Sequence, residues 1–376
     1  MVSKKIKKNK KIKKNKTKKK QKVKQLVLIK KISDSKIEKK EGEYFSKKDF
    51  GIIVKDDCDV YGIENGVKKL LGKFRKNVIS KKLAQLAMDN LKEASKKKHT
   101  NRGAAAGVIN MSKMPDYVKK ENIVGKYKFR ITGYNSDGDG KYVNQSIGND
   151  AQSNIIGYFD KPDRNPSTSN LPCRLTAFNH REIDKFKKVE PFLERIDKLF
   201  KKLTPNAHKK QYNRAHKTKF VIKDTAFSTV TINYNWRTAL HKDSGDFEGG
   251  FGNLIVCEEG KYEGGCTGFP QYGVAFDVRN GDFLAMDVHE WHANTPIYQT
   301  AQQKKHNAKL EDIFKDNPDV GSTYDEVGPE GGGPEGGPEG GPERLLLLFL
   351  PPSKGDWVPL VLFTPTARLL LFCPAE

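Results

Sequence analysis

The stretch Thr229 to Gly250, TVTINYNWRTALHKDSGDFEGG, constrains the fold of this chain more than any other. Its first eight residues alternate. Val230, Ile232, Tyr234 and Trp236 fall on one side, and Thr229, Thr231, Asn233 and Asn235 on the other. A period of two belongs to a β-strand with one face on a core and one on something polar. The triplet His241-Lys242-Asp243 follows. On extended backbone, residues i and i+2 point the same way, so an imidazole nitrogen and a carboxylate oxygen can share one face of a metal. That pairing suits Fe(II) when a second histidine arrives from elsewhere and other positions stay open. An H-x-D triplet alone is common, and most such histidines are surface or core residues. The sequence after it must decide.

From Phe220 onward the chain is β-rich, with strands expected at 220–223, 228–236, 252–258, 273–279, 282–288 and 292–298. Many short antiparallel strands make a jelly roll or barrel. The expected fold class is therefore α+β: a double-stranded β-helix (jelly roll) core with flanking helices and a disordered basic N-terminal tail. The second histidine comes from GDFLAMDVHEWHANTPIY, which offers His289 and His292. A ligand at a strand end is held more rigidly than one in a turn, so His292 is preferred and His289 is the fallback. Between His241 and His292 there is room for the intervening strands. His241, Asp243 and His292 would then form a facial triad, leaving positions for a chelating keto acid and dioxygen. Such an acid needs its far carboxylate held, and arginine does this with a planar fork. Arg344, opening the apolar run RLLLLFL, fits; Arg368 repeats the pattern and is its rival.

Helices are expected over 76–98, over 181–203 with a break at Pro191, and over 301–317. Strands are expected within 26–75 and 126–160, with a short one at LPCRLTAF. The small residues of Asn101-Arg102-Gly103-Ala104-Ala105-Ala106-Gly107 let backbone approach something closely.

Charge is unevenly spread. Residues 1–25 hold 14 lysines and no acid, which leaves +9 of the net +23 for the rest. Such a tail cannot bury apolar surface. It reads as a nucleic-acid tether or nuclear import signal, and nuclear localisation is expected. No apolar stretch is long enough to span a bilayer, so no membrane is expected. The five cysteines are scattered without a C-x-x-C pair, which fits a reduced intracellular protein without a zinc ribbon.

The run TVTINYNWRTALHKDSGD through GNLIVCEEGKYEGG and FDVRNGDFLAMDVHEWHANTPI resembles the oxygenase domain of the TET/JBP family of nucleic-acid base dioxygenases. NRGAAAG, SNIIGYFD and PCRLTAF upstream are also similar to it. The resemblance covers about residues 95–300. It implies a double-stranded β-helix that uses Fe(II) and 2-oxoglutarate to oxidise the methyl group of a DNA pyrimidine, 5-methylcytosine or thymine. His241, Asp243 and His292 match the iron ligands, and Arg344 matches the 2-oxoglutarate arginine. In the family that arginine follows the last histidine much sooner. A base inside a duplex must flip out to reach such a pocket. Asn233 and Asn235 can then contact co-substrate or base, or else bond backbone.

The expected organisation is a lysine-rich tail (1–25), an N-terminal extension (26–94), the oxygenase core (95–300), a helix and Gly/Pro/Glu insert (301–343) and C-terminal strands (344–376), of which 344–350 closes the core. A monomer is expected, with DNA, 2-oxoglutarate and dioxygen as partners. Two competing readings remain: an Fe(II)/2-oxoglutarate hydroxylase of protein or small molecules, and a catalytically decayed nucleic-acid-binding homologue.

Overall fold

The computed structural model describes residues 23–100, 102–111, 126–134, 142–159, 174–243, 246–311 and 343–350. Most of the basic tail, the Gly/Pro/Glu insert and Arg368 lie outside them. The strands are β1 (Lys24–Ile29), β2 (Ile52–Val54), β3 (Cys58–Glu64), β4 (Val67–Arg75), β5 (Lys98–His99), β6 (Lys128–Tyr134), β7 (Tyr142–Gly148), β8 (Ala151–Phe159), β9 (Arg174–Leu175), β10 (Thr229–Tyr234), β11 (Gly252–Glu259), β12 (Glu263–Gly264), β13 (Thr267–Phe269), β14 (Val274–Phe276), β15 (Phe283–Met286), β16 (Ala293–Asn294), β17 (Ile297–Tyr298) and β18 (Glu343–Leu350). The helices are α1 (Asp34–Glu38), α2 (Lys81–Ser95), α3 (Ala177–Arg181), α4 (Ile183–Leu203), α5 (Pro205–Ala215) and α6 (Ala301–Glu311). The fold is a mixed α+β one.

The largest sheet runs β1-β3-β4-β15-β11-β18-β10-β8-β5, and a second runs β16-β13-β14-β2. From β10 onward the chain passes back and forth between them. β10, β11, β15 and β18 are in the large sheet, while β13, β14 and β16 are in the second. The N-terminal residues 52–75 are woven into both sheets, since β4 pairs with β15 and β2 with β14.

The run Leu254-Ile255-Val256-Cys257 is wholly apolar because the large sheet is covered on both faces. Ile255 and Cys257 face the helices, among Leu91, Phe192, Ile196, Phe200 and Phe227. Leu254 and Val256 face the second sheet, among Phe269, Tyr272, Val274 and Phe276. Val230 and Ile232 of β10 point to the helices, as the alternation requires.

Two expectations fail. Residues 220–223 form a turn, not a strand. Lys223 takes a left-handed backbone (φ 46°), and the Thr225 hydroxyl caps the turn on the Ile222 carbonyl. Pro191 does not break its helix; α4 runs unbroken for 21 residues. A helix-interior proline costs about 3 kcal/mol. Burial of Phe186, Val189, Phe192, Leu193, Ile196, Leu199 and Phe200, at about 1.5–3 kcal/mol each, outweighs it. Within LPCRLTAF the expected short strand is present at Arg174–Leu175 and ends where the Thr176 hydroxyl caps α3 by accepting from Asn179 N–H.

β18 lies between β10 and β11, antiparallel to both, with Ile232 and Ile255 opposite Leu347. Leu347 is fully buried against the helices. Leu347→Ala should therefore lower stability by about 2–5 kcal/mol in urea denaturation. Unchanged stability would mean that β18 is not part of the folded core.

Candidate metal centre

Asn235 leaves β10 in a left-handed turn (φ 43°), which ends the alternation one residue before Trp236. Trp236 accordingly packs with Ala106 and Ala151, apart from Val230 and Ile232. The chain then crosses to the second sheet. There His241 forms an antiparallel bridge with His292, with N–H···O distances of 3.1 and 3.0 Å in the two directions. This pairing puts the two rings side by side, centroids 4.3 Å apart. Asp243 is tied down by its N–H to the Val288 carbonyl at 3.0 Å.

The side chains of His241, Asp243 and His292 converge, with one ligand atom from each lying within 4.8 Å of the others. Nδ1 of His241 sits 2.8 Å from the Ala239 carbonyl, and Nδ1 of His292 sits 2.9 Å from the Glu290 carbonyl. A carbonyl only accepts, so each Nδ1 carries the proton and each Nε2 presents a lone pair. Both Nε2 atoms face Asp243, at 3.6 Å from Oδ1 and 3.8 Å from Oδ2. Oδ2 of Asp243 is buried without a hydrogen-bond partner. Two imidazoles in ligand tautomers and a bare carboxylate oxygen around one point form a donor set that fits a divalent metal.

His289 does not join this group. Its Nδ1 lies 3.5 Å from Asp287 and its Nε2 is 3.4 Å from the Asp246 carbonyl. Behind His292, Lys69 bridges Asp287 and Glu290 at 2.8 and 2.9 Å, and Glu290 also accepts from Gln271. That network fixes the turn whose Glu290 carbonyl orients the His292 ring.

Arg344 is 2% exposed, on the face of β18 opposite the helix-facing Leu345 and Leu347. Its Nη2 donates to the Gly265 carbonyl at 2.8 Å, while Nε is buried without a partner. It pairs with no carboxylate among the described residues. Gly264 makes room for this turn: its φ is +74°, and a Cβ there would stand 1.9 Å from the Pro296 carbonyl oxygen. Asn233 also lies on the face turned from the helices, and its Oδ1 is buried and unpartnered. Asn235 instead bonds backbone. Its N–H donates to the Arg344 carbonyl at 3.0 Å, and its side chain accepts the Arg344 N–H at 2.8 Å.

Sequence reasoning missed Arg102. Its Nε donates to Ser153 Oγ at 2.6 Å, and Ser153 stands opposite Asn233 across β8 and β10. Burial pulls the guanidinium down to about 10, against the charge of Asp243. An arginine directly before the glycine of the small-residue run was the available signal. The close approach read from that run does occur: the Ala239 N–H donates to the Ala105 carbonyl at 2.9 Å.

Burial, and then the neighbouring His292, lower His241 to about 4, so the ring is neutral at ordinary pH. The unfolded chain takes up this proton near the free value of about 6.5. The stabilising effect is thus complete above that pH and is lost as pH falls toward 4. With metal chelated, the wild-type chain should lose about 2 kcal/mol more than His241→Asn between pH 7 and pH 5, by urea denaturation. Parallel curves would show that the ring is not held neutral by the fold.

Residues 154–311 match the family model described as the oxygenase domain of the 2OGFeDO superfamily, Tet_JBP. Thymine dioxygenase JBP1 of Trypanosoma brucei brucei is 34% identical over 145 residues, 39% of this chain and 17% of that protein. The bifunctional helicase and thymine dioxygenase JBP2 of Leishmania braziliensis is 37% identical over 143 residues, 38% of this chain and 13% of that one. The chain thus matches less than a fifth of the length of these curated relatives. Among solved structures, NgTET1 in complex with 5mC DNA aligns over 86% of this chain and 81% of that chain, at a TM-score of 0.41 and 10% identity.

Proposed function

Since residues 154–311 carry a TET/JBP oxygenase domain, the domain of a 2-oxoglutarate/Fe(II)-type dioxygenase, we propose that this chain hydroxylates the methyl group of a pyrimidine base in DNA, 5-methylcytosine or thymine. The observation that carries the reading is the convergence of His241, Asp243 and His292 inside that domain. The strand order supports a double-stranded β-helix. β10, β18, β11 and β15 are neighbours in one sheet, and His241, β16, β13 and β14 follow one another in the other.

In this reading His241, Asp243 and His292 would hold Fe(II), which with 2-oxoglutarate as co-substrate would supply the activation of dioxygen that hydroxylating a methyl group needs. The chain's own residues position and shield. Ala239 and Glu290 carbonyls keep both imidazoles in the ligand tautomer. Arg344, with a bare Nε and no carboxylate partner, holds the far carboxylate of 2-oxoglutarate. Asn233, with a free buried oxygen, takes a donor from co-substrate or base. His292 is buried and His241 and Asp243 are half-buried, so the protein itself would limit the access of bulk water to the reacting carbon.

The test is mass spectrometry of bases from methylated and thymine-containing DNA treated with the purified chain, alongside succinate release. Wild type should convert one base, and Asp243→Ala neither. Succinate release with both bases unchanged would move the substrate to a protein or small molecule. Arg344→Ala should raise the 2-oxoglutarate requirement on the order of thirtyfold or more, as loss of a buried charge partner costs about 2–5 kcal/mol. An unchanged requirement would remove Arg344 from the co-substrate site.

A further inference from the structure

Residues 198–223 contain nine lysines and arginines and no acid. The preceding turns of the same helix are different: residues 184–197 hold four of each sign. The positive block therefore begins within α4 and continues through α5. Lys201, Lys202, Lys209, Lys210, Lys217 and Lys219 are all exposed, and none pairs with a carboxylate among the described residues. Lys223 shows the contrast, held by Glu190 at 2.9 Å and Glu194 at 3.3 Å. On α5 the buried side is His208, Gln211 and Ala215, which leaves Lys209 and Lys210 on the outer side.

This block adjoins the loop that follows Asp243. Lys210 Cδ and Nζ lie 3.8 Å from where a Cβ on Gly249 would stand, and the Phe251 N–H donates to Gln211 at 3.3 Å. A cleft of 540 Å³ opens at the same corner, lined by Pro205, Asn206, Gly249, Lys69 and His289. Lys210 stands beside Gly249 at this corner, and the other lysines lie on the exposed surface of α4, α5 and the segment that follows α5.

Unpaired like charges on one face repel each other, and an anionic partner relieves that repulsion. No large exposed apolar side chain lies within residues 198–223. Membrane-surface binding uses such side chains for insertion, so the block favours a partner that offers charge alone. The 11 residues of α5 span about 16 Å, and duplex DNA presents one charge per about 1.7 Å of axis.

We propose that the exposed lysines of α4, α5 and the segment that follows α5 form a track for the phosphate backbone of double-stranded DNA, separate from the pocket that takes the base. The partner's identity rests on the DNA reading above. The track holds the duplex beside the flipped nucleotide without reading its sequence.

The experiment uses the full chain, with the N-terminal tail common to both arms. Binding of a short duplex free of modified bases is measured by fluorescence anisotropy across a salt series. Wild type is compared with the chain bearing K201Q, K202Q, K209Q, K210Q, K217Q and K219Q. The slope of log affinity against log salt should flatten by up to about 5, at 0.9 per phosphate contact. Flattening of about 2 or more supports the track, and a smaller change overturns it. If the sixfold variant melts early, K209Q with K210Q and K217Q is used instead, with about half the effect expected and flattening below about 1 overturning the idea. Lost binding to anionic vesicles with an unchanged DNA slope also overturns it, in favour of a membrane. Because the duplex carries no modified base, the readout does not depend on oxidation. A wild type that flattens on substitution yet oxidises no base leaves the track standing and fails the function.

Discussion

The structure around the candidate centre depends on one backbone contact, the antiparallel bridge between His241 and His292. Two hydrogen bonds there fix two residues 51 positions apart at a single register. A one-residue slip would turn either ring to the opposite face of the sheet. The bridge also sets the chemistry of the rings. Holding two imidazoles side by side in a buried place makes protonating one harder while the other is near, and His241 is lowered to about 4. The fold itself therefore keeps His241 neutral at ordinary pH.

Much of this was legible in the sequence. The alternation of 229–234 and the triplet after it gave both the strand and the two candidate ligands. The choice of His292 over His289 followed from rigidity, and the structure brings His292, not His289, to Asp243. The errors share a cause: local pattern was read where tertiary contact decides. Pro191 reads as a break, but the buried stripe of α4 outweighs one missing hydrogen bond. Phe220 to Ile222 read as a strand, but the Thr225 hydroxyl and the left-handed Lys223 turn the chain. For Asn235, in phase with Asn233, the sequence left open contact with co-substrate or base and bonding to backbone, and the side chain accepts the Arg344 N–H. Arg102 was legible only as the arginine before the first glycine of NRGAAAG, because nothing in that run states that β8 and the Asp243 charge will be near it.

The delayed arginine illustrates how sheet topology overrides chain distance. Arg344 comes 52 residues after His292, with a helix between them. β18 nevertheless enters between β10 and β11, where each side offers a full ladder of backbone partners. An apolar strand in that slot buries Leu345 and Leu347 under the helices, and alternation then turns Arg344 to the other face. Closing a longer loop adds little cost, because the entropy rises only with the logarithm of its length. The altered spacing is therefore no obstacle to the strand's place, and it weakens the argument that the centre has decayed.

Charge is handled in two ways on the two sides of the large sheet. Around the candidate centre, charged groups are individually restrained: the half-buried Arg102 by Ser153, and the exposed Lys69 by the buried Asp287 and Glu290. On the helical side, the lysines at the end of α4, at Lys209 and Lys210 of α5 and just after α5 are exposed, with no carboxylate partner among the described residues. The first arrangement gives direction, since a buried group with fixed partners acts at one point. The second gives reach, since mobile ammonium groups on flexible stems act as a diffuse field that salt can screen. The proposed chemistry, one atom placed beside a metal on a long polyanion, would call for both. The apolar layer between α4 and β11 keeps the diffuse field from displacing the fixed one.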